Sequence, residues 1–597
     1  RDSVIGQGGT IGFNANSVAA GAFLAQIDNS NSGRIDNGGD ISVLTAGQFQ
    51  ASSLTLLTNN RSGGSIGSGL DVIFDSLGAL TLSGSASVGY SARNDANGGG
   101  TAGGDVNVRL AAGSISASGN LDEFVSTSGG GQITGNTRLD LLADSDITVG
   151  GMSTIRIDNS FASAGAASGG MIGLDAIIAI GAQNFAATGG FEAAILNHRT
   201  GVIKGDALLN LALSGSLTSG GNADVYISTR PSTGSSGRID GDALLAVRAA
   251  RISTNGFFET AVFNTAGAIG GAAGMDVATT GGISIGSNGI FLLTNQGGTM
   301  GSANLRLFSG GGISTGGFLE AFIFNQNGQI GTGGNITVRA TGDMVVRTDA
   351  FFGISNTAGK ISANPLVDVR AANITTGGFF EAYIDNQGGT LGNGGGSVMV
   401  RSDGQINVGG GLEVLGTVTA AGDINAQTLI STNVTSTGGN INARTGGIRP
   451  FLFPGTGGTV LTDVAHFLTA NRVTSQAGIN FNGANGNGST TAGRAGGSLE
   501  INAQSLSFGS SEADIIGAVS FNGGAGGGFT ANETALKGGD GGQLYVNTTG
   551  DISVNSDIEA TTGLQPQNFT PGGRGGTVEF NSTNGTVTVN NRIQVSS

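Results

Sequence analysis

Residues 376–396 read TGGFFEAYIDNQGGTLGNGGG, and this stretch recurs. Sixty-one residues earlier stands GGFLEAFIFNQNGQIGTGG (316–334), and sixty-one before that NGFFETAVFNTAGAIGG (255–271). A looser copy, GGFEAAILNHRTGVI, occupies 189–203. Shorter relatives, IFLLTNQGGTM (290–300) and FFGISNTAGKI (351–361), lie between them. Aligned on the Asn that closes each apolar run, they form a series Asn264, Asn295, Asn325, Asn356 and Asn386, with steps of 31, 30, 31 and 30 residues. A fixed period of this size is the mark of one structural unit stacked on copies of itself.

The content of one period selects the kind of repeat. In 377–407, Phe380, Ala382 and Ile384 alternate with polar residues up to Asn386. A Gly-rich turn follows, then Val398 and Val400, and after another turn Ile406 and Val408. These are short period-two runs, which is strand spacing. Three short strands and three turns per period predict an all-β chain, a parallel β-helix with about 30 residues per coil stacked at ~4.8 Å. At that rate the chain holds about 20 coils. Within such coils the Asn series is expected to form a structural ladder. Each Asn would take a left-handed bend at a corner and bond through its amide to the Asn of the next coil.

Composition agrees. Of 597 residues, 114 are Gly and only six Pro, while 38% are hydrophobic and sit at alternating positions. That combination fits a turn-rich folded chain in which nearly every backbone N–H enters a ladder. Cys is absent, so neither disulfides nor thiolate sites exist. The net charge of −15 argues against a nucleic-acid footprint and suits solubility and divalent cations; no cofactor is expected, calcium being the one cation considered. No apolar run reaches the ~18 residues of a membrane span, and no signal peptide is visible. The first and last residues both read as mid-solenoid, which implies a portion of a longer protein with exposed strand edges.

Residues 1–411 are read as a regular solenoid with 30- and 61-residue repeats. A second element, Gly-Gly followed by a polar residue and apolar-x-apolar, runs along the whole chain, as in GGDISV (38–43), GGNITV (333–338) and GGTVEF (575–580). After 411 the Phe-Glu run disappears, and residues 412–597 are read as a second solenoid section. Long Gly/Asn-rich loops at 483–497, 523–542 and 563–576 are expected to project from it, and Pro450 and Pro454 flank an irregular insert at 449–458. The segment GGDGG (538–542) lacks the Asp placement and the tandem array of a calcium β-roll.

Chemistry-bearing motifs are sparse. The two histidines, His198 and His466, are far apart, and no metalloprotease, nucleophile-elbow or phosphate-loop pattern occurs. One carboxylate series stands out: Glu192, Glu259, Glu320 and Glu381 each lie five residues before a ladder Asn. The last three fall on alternate coils, roughly 9–10 Å apart. A repeating series cannot mark one active site, so the chain is read as a non-enzyme. Glu259, Glu320 and Glu381, with Phe322 and Tyr383 two residues on, form instead a candidate lateral-contact stripe of exposed acids and aromatics.

The runs GGNITVRATGDMVV (333–346) and GGQLYVNTTGDISVNSDIEATTG (541–563), with the Asn/Gly turns and the absence of Cys, resemble the large filamentous-haemagglutinin-type exoproteins of Gram-negative bacteria. That resemblance implies a right-handed β-helix, export through an outer-membrane secretion partner, and a role in adhesion or surface fibres at the cell surface. The family's secretion-domain motifs are not seen; Asn364-Pro365-Leu366 departs from them. The expectation is therefore an extracellular structural or adhesive solenoid, assembled end to end into a filament. The alternatives are a monomeric adhesin that binds surface glycans and a polysaccharide-active enzyme.

Overall fold

The computed structural model describes residues 4–92, 99–160, 169–230, 236–392, 395–449, 465–483, 495–509, 513–522, 539–562 and 573–596. The three expected projecting loops and the 449–458 insert lie largely outside these residues. Among the described residues the chain is all-β, a solenoid of about 17 parallel turns roughly 31 residues apart. That is fewer than the 20 expected, because several turns carry more than 31 residues. Among the described residues no helix is long and apolar enough to cross a membrane.

The chain divides into two compact units, one of residues 1–339, 354–366 and 386–396, the other of 340–353, 367–385 and 397–597. In the first, a coil has four strands rather than the three expected. The turn after residue 237 shows them: Arg238–Ile239, Ala243–Ala249, Arg251–Thr254 and Phe258–Thr265. The additional strand is only two residues long and follows the Asn corner, too short to leave a periodic trace in the sequence. Each strand pairs in parallel with its counterpart one coil on. Phe258–Thr265 pairs with Gly289–Gln296, and that strand with Leu319–Gln326, placing Asn264, Asn295 and Asn325 in one column.

The core is the interior of each coil. Along Phe258–Thr265 the period-two alternation sends Phe258, Thr260, Val262 and Asn264 inward, all fully buried. Columns fill by trading large for small. Gly289 stands between Phe258 and Leu319, and a Cβ there would lie 2.9 Å from Ile285 Cδ1 and 3.0 Å from Leu319 Cδ1. Its missing side chain is taken up by neighbours such as Phe291, whose ring meets Phe258 edge-on at 5.8 Å. Each buried Phe contributes about 1.5–3 kcal/mol of transfer free energy, so the repeat is stabilised coil by coil.

In the second unit, residues 397–448 form smaller coils. Met399 pairs with Thr417, 18 residues on, Val418 with Val434, 16 on, and Ile424 with Ile441, 17 on. The single strand Gly411–Ala420 explains this. Its first half pairs with Phe380–Asp385 and its second half with Ser397–Ser402, with a register shift between Val414 and Thr417. The chain bends through two residues where a long coil would insert an Asn corner and a two-residue strand. Gly416 sits in that bend, where a Cβ would come 2.2 Å from the Val398 carbonyl oxygen. Beyond it the coils lengthen again: Asn433 pairs with Phe467, 34 residues on, and Gln543 with Thr577, also 34 on.

Candidate functional site

The five ladder residues expected from the sequence form a continuous chain of amides. Asn264 Nδ2 donates to Asn295 Oδ1 at 2.8 Å, Asn295 to Asn325 at 2.8 Å, Asn325 to Asn356 at 2.6 Å and Asn356 to Asn386 at 2.6 Å. The first four are buried and Asn386 is exposed. The second N–H of each buried amide reaches a backbone carbonyl one coil on, those of Thr299, Gln329, Lys360 and Thr390. Buried amides with donors and acceptor all engaged satisfy the requirement that the core sets for polar groups.

The looser early copies of the ladder run, AFLAQIDN (22–29) and STIRIDN (153–159), carry the ladder further. Asn29 bonds Asn60 at 2.8 Å, Asn159 bonds Asn197 at 2.7 Å, and Thr229 Oγ1 donates to Asn264 Oδ1 at 2.7 Å. At one coil Ala92 takes the ladder position, and the Tyr90 hydroxyl fills in by accepting from Asn60 at 3.1 Å. Thr and Ala at ladder positions hid this continuity from an alignment made on Asn alone.

One expectation is corrected here. The ladder Asn residues do not take the left-handed bend. The residue two places on does: Ala266, Gly297, Asn327, Ala358 and Gly388, with φ of 52°, 66°, 53°, 51° and 65°. An Asn whose side chain must point inward to its neighbours occupies the strand end, so the bend moves onto the corner itself. The next residue is always Gly, because the amides occupy the space a side chain would need. A Cβ at Gly328 would lie 2.4 Å from Asn295 Nδ2, and one at Gly359 2.4 Å from Asn325 Nδ2. The local rule is N-x-αL-G.

The lateral stripe also differs from expectation. Glu192, Asp224 and Glu259 lie on three consecutive coils in direct register, and Glu413 follows Glu381 in register. The acids are therefore not confined to alternate coils; Ile290 separates Glu259 from Glu320. Asp224 was missed because Thr229, not Asn, closes its run, and Glu413 because its coil has no ladder corner. Arg156, one coil before Glu192, donates from Nη2 to Glu192 Oε1 at 2.6 Å, and the Tyr226 hydroxyl donates to the same oxygen at 2.8 Å.

Half-burial and like charges raise the acids' pKa values. Burial, helped by Glu259 and Glu192, pushes Asp224 up to about 6. Burial, helped by Glu413 and Asp349, pushes Glu381 up to about 7. Burial also raises Glu259, Glu320 and Glu413, with Glu259 adding to the effect on Glu320. Among the described residues no group of acids or histidines is arranged to hold a metal ion.

Phe322 is not an exposed aromatic. It is 4% exposed, lying flat against Phe324 with ring centroids 4.9 Å apart and planes 10° apart. Tyr383 is half-buried. Tall neighbours in the columns on either side cover an outward ring as a loop would. The exposed ring area passes to Phe263 and Phe324, one place before their ladder Asn. They line a groove of about 430 Å³ across five consecutive coils of the first unit. Phe263, Thr294 and Phe324 form one wall, Thr265, Gln296 and Gln326 the other, and Arg230 stands at one end. Gln296 Nε2 donates to Gln326 Oε1 at 3.1 Å, a second amide ladder outside the coil.

Sequence reasoning also missed Glu123. It is fully buried, points to the inside face with Leu121 and Val125, and neither carboxylate oxygen has a hydrogen bond of normal geometry among the described residues, the Leu110 backbone being the polar group beside it. Burial, with Asp140 nearby, holds its carboxyl well above the usual range. The period-two alternation of LDEFVS (121–126) was the available signal.

Comparison of the chain with protein-family models, with curated proteins and with solved structures finds no match.

Proposed function

We propose that this chain is a structural and adhesive β-solenoid of the extracellular, filamentous-haemagglutinin type, working by presentation and not by catalysis. The observation that supports this reading is the in-register repetition of outward side chains. Phe263, Thr294 and Phe324, Gln296 and Gln326, and Glu192, Asp224 and Glu259 are columns parallel to the solenoid axis. A column offers the same contact at each step of ~4.8 Å, which suits an extended polymer or surface. An active site, by contrast, needs unlike groups converging on one point. The backbone between the columns is held by strand pairing on both sides, so the face is rigid before it binds and little ordering entropy opposes binding.

The test is adhesion by beads coated with the purified chain, on bacterial and host cell surfaces, against beads carrying an unrelated protein of equal charge. Retention above the control supports the reading. Retention equal to the control on every surface overturns it. Negative-stain electron microscopy of the same preparation across a concentration series then assigns the activity. Filaments place it on a fibre assembled from this chain, and single particles at every concentration place it on the individual solenoid.

A further inference from the structure

The groove beside the Asn ladder supplies a ligand class. We propose that it binds a neutral, extended glycan chain lying parallel to the solenoid axis, its sugar faces on Phe263 and Phe324 and its hydroxyls on the opposite wall. This inference rests on the adhesive reading and specifies its contact.

Four observations carry it. First, Phe263 and Phe324 are half-exposed rings in one column two coils apart, with the smaller Thr294 between them. Two coils span about 9–10 Å, close to two residues of an extended β-linked chain. Rings at that interval meet every second sugar of one face, and Thr294 leaves room for the sugar between.

Second, the rings are fixed in advance. Phe324 lies flat on the buried Phe322, and Phe263 meets Tyr226 edge-on at 6.5 Å. A rigid aromatic surface gives contact area at small entropic cost. Third, the facing wall of Thr265, Gln296 and Gln326 carries hydroxyls and amides that both donate and accept. The Gln296–Gln326 bond sets those amides in one orientation on adjacent coils, at half the axial interval of the rings.

Fourth, the surroundings exclude other occupants. The strands beneath the groove are paired on both sides, so a peptide cannot add to them as an extra strand. The acids Glu259 and Glu320 stand four residues before the two rings on the same outward face and disfavour sulfated or uronic chains, while Arg230, the one charged side chain among the described residues of the groove's lining, stands only at its end. The occupant that remains is uncharged, flat on two faces and rich in hydroxyls.

The experiment is titration calorimetry of the purified chain with cellohexaose and chitohexaose as neutral probes, and with a heparin hexasaccharide as the anionic one. Binding of a neutral hexamer and not of heparin is the expected result. Thr294→Arg fills the gap between the rings without touching the core and is expected to weaken binding at least tenfold. Phe263→Ala should do the same, with thermal unfolding recorded to show that the coil is intact. Ser314→Arg, exposed on the strand Ile313–Thr315 that contributes nothing to the groove's lining, should leave affinity unchanged. No neutral hexamer binding at millimolar concentration, or equal affinity in Thr294→Arg, overturns the proposal.

Bead adhesion by the same variants separates the two readings. Adhesion by the wild type that persists in Thr294→Arg overturns the groove and leaves the adhesive reading standing. Loss of adhesion together with glycan binding supports both. No adhesion by the wild type overturns the adhesive reading itself.

Discussion

The long coils around residues 255–361 and the short coils of 397–448 stack the same kind of strand in the same parallel register, yet they place Asn differently. In the long coils the corner Asn side chains point inward, are buried, and bond both to one another and to backbone carbonyls. In the short coils the corner is gone. Asn residues line up instead on the outside, where Asn425 Nδ2 donates to Asn407 Oδ1 at 2.7 Å and Asn442 Nδ2 to Asn425 Oδ1 at 2.7 Å. The two ladders have nearly the same bond lengths and opposite surroundings. A buried amide that loses its partner has no water to turn to, whereas a half-exposed one does. The inner ladder therefore specifies the coil, and the outer one decorates it.

Substitutions that separate the two ladders sharpen this contrast. The largest effect is expected from Asn325→Leu, which leaves the Asn295 donor and the Asn356 acceptor unpaired inside the core. At ~1–3 kcal/mol for each orphaned group, the loss should be about 3 kcal/mol or more. Because repeat proteins can unfold in parts, it is best read by hydrogen exchange over residues 295–360. A loss under about 1 kcal/mol would remove the distinction between the ladders. Gly328→Ala should cost about 2 kcal/mol or more by driving a methyl group into the Asn295 amide.

Glu123→Met tests the opposite case, a buried polar group that no ladder satisfies. Replacing this buried carboxyl by an apolar chain of similar volume should stabilise the fold by about 1 kcal/mol near neutral pH. Equilibrium unfolding in urea measures it, and destabilisation would mean that the carboxyl has a structural role.

The acid stripe predicts the direction of pH dependence. Asp224 at about 6, Glu381 at about 7, and the raised Glu123, Glu259, Glu320 and Glu413 hold protons in the folded chain that the unfolded chain has released. Between the ordinary carboxylate range and about pH 7 the folded state therefore binds more protons, and stability rises as pH falls. The melting temperature should be higher near pH 5.5 than near pH 8, and Asp224→Asn should flatten that slope. A melting temperature that climbs with pH across this window contradicts the stripe. The smallest effect is expected from Asn425→Ala, within about 0.5 kcal/mol, since its neighbours can bond to water.

Much of the fold was legible from one column of residues. Five Asn at 30- and 31-residue steps, each closing an alternating apolar run, led to the parallel coil and to the amide ladder. What the alignment could not carry was any coil in which another residue does the work of Asn. Thr229 and the Tyr90 hydroxyl continue the ladder with different chemistry, and so Asp224 dropped out of the acid series. The plainer runs after 411 marked a second section, but the short length of its first coils was hidden, because a bend of two residues leaves no motif. Phe322 was misjudged as exposed, and Phe324 passed over, for a related reason. Alternation reports which face a side chain leaves from, and says nothing of the height of its neighbours.

By itself the sequence determined the period, the strand spacing and the inward Asn, since each of these is a rule that a chain must satisfy locally at every repeat. Only the tertiary structure decided which coils are long or short, where the left-handed residue sits, and which outward rings border an open groove. These depend on what stands one coil above and below, about 30 residues away along the chain. The hydrogen bonds and side chains that meet across that step are set by the register of stacked strands, which no single repeat contains.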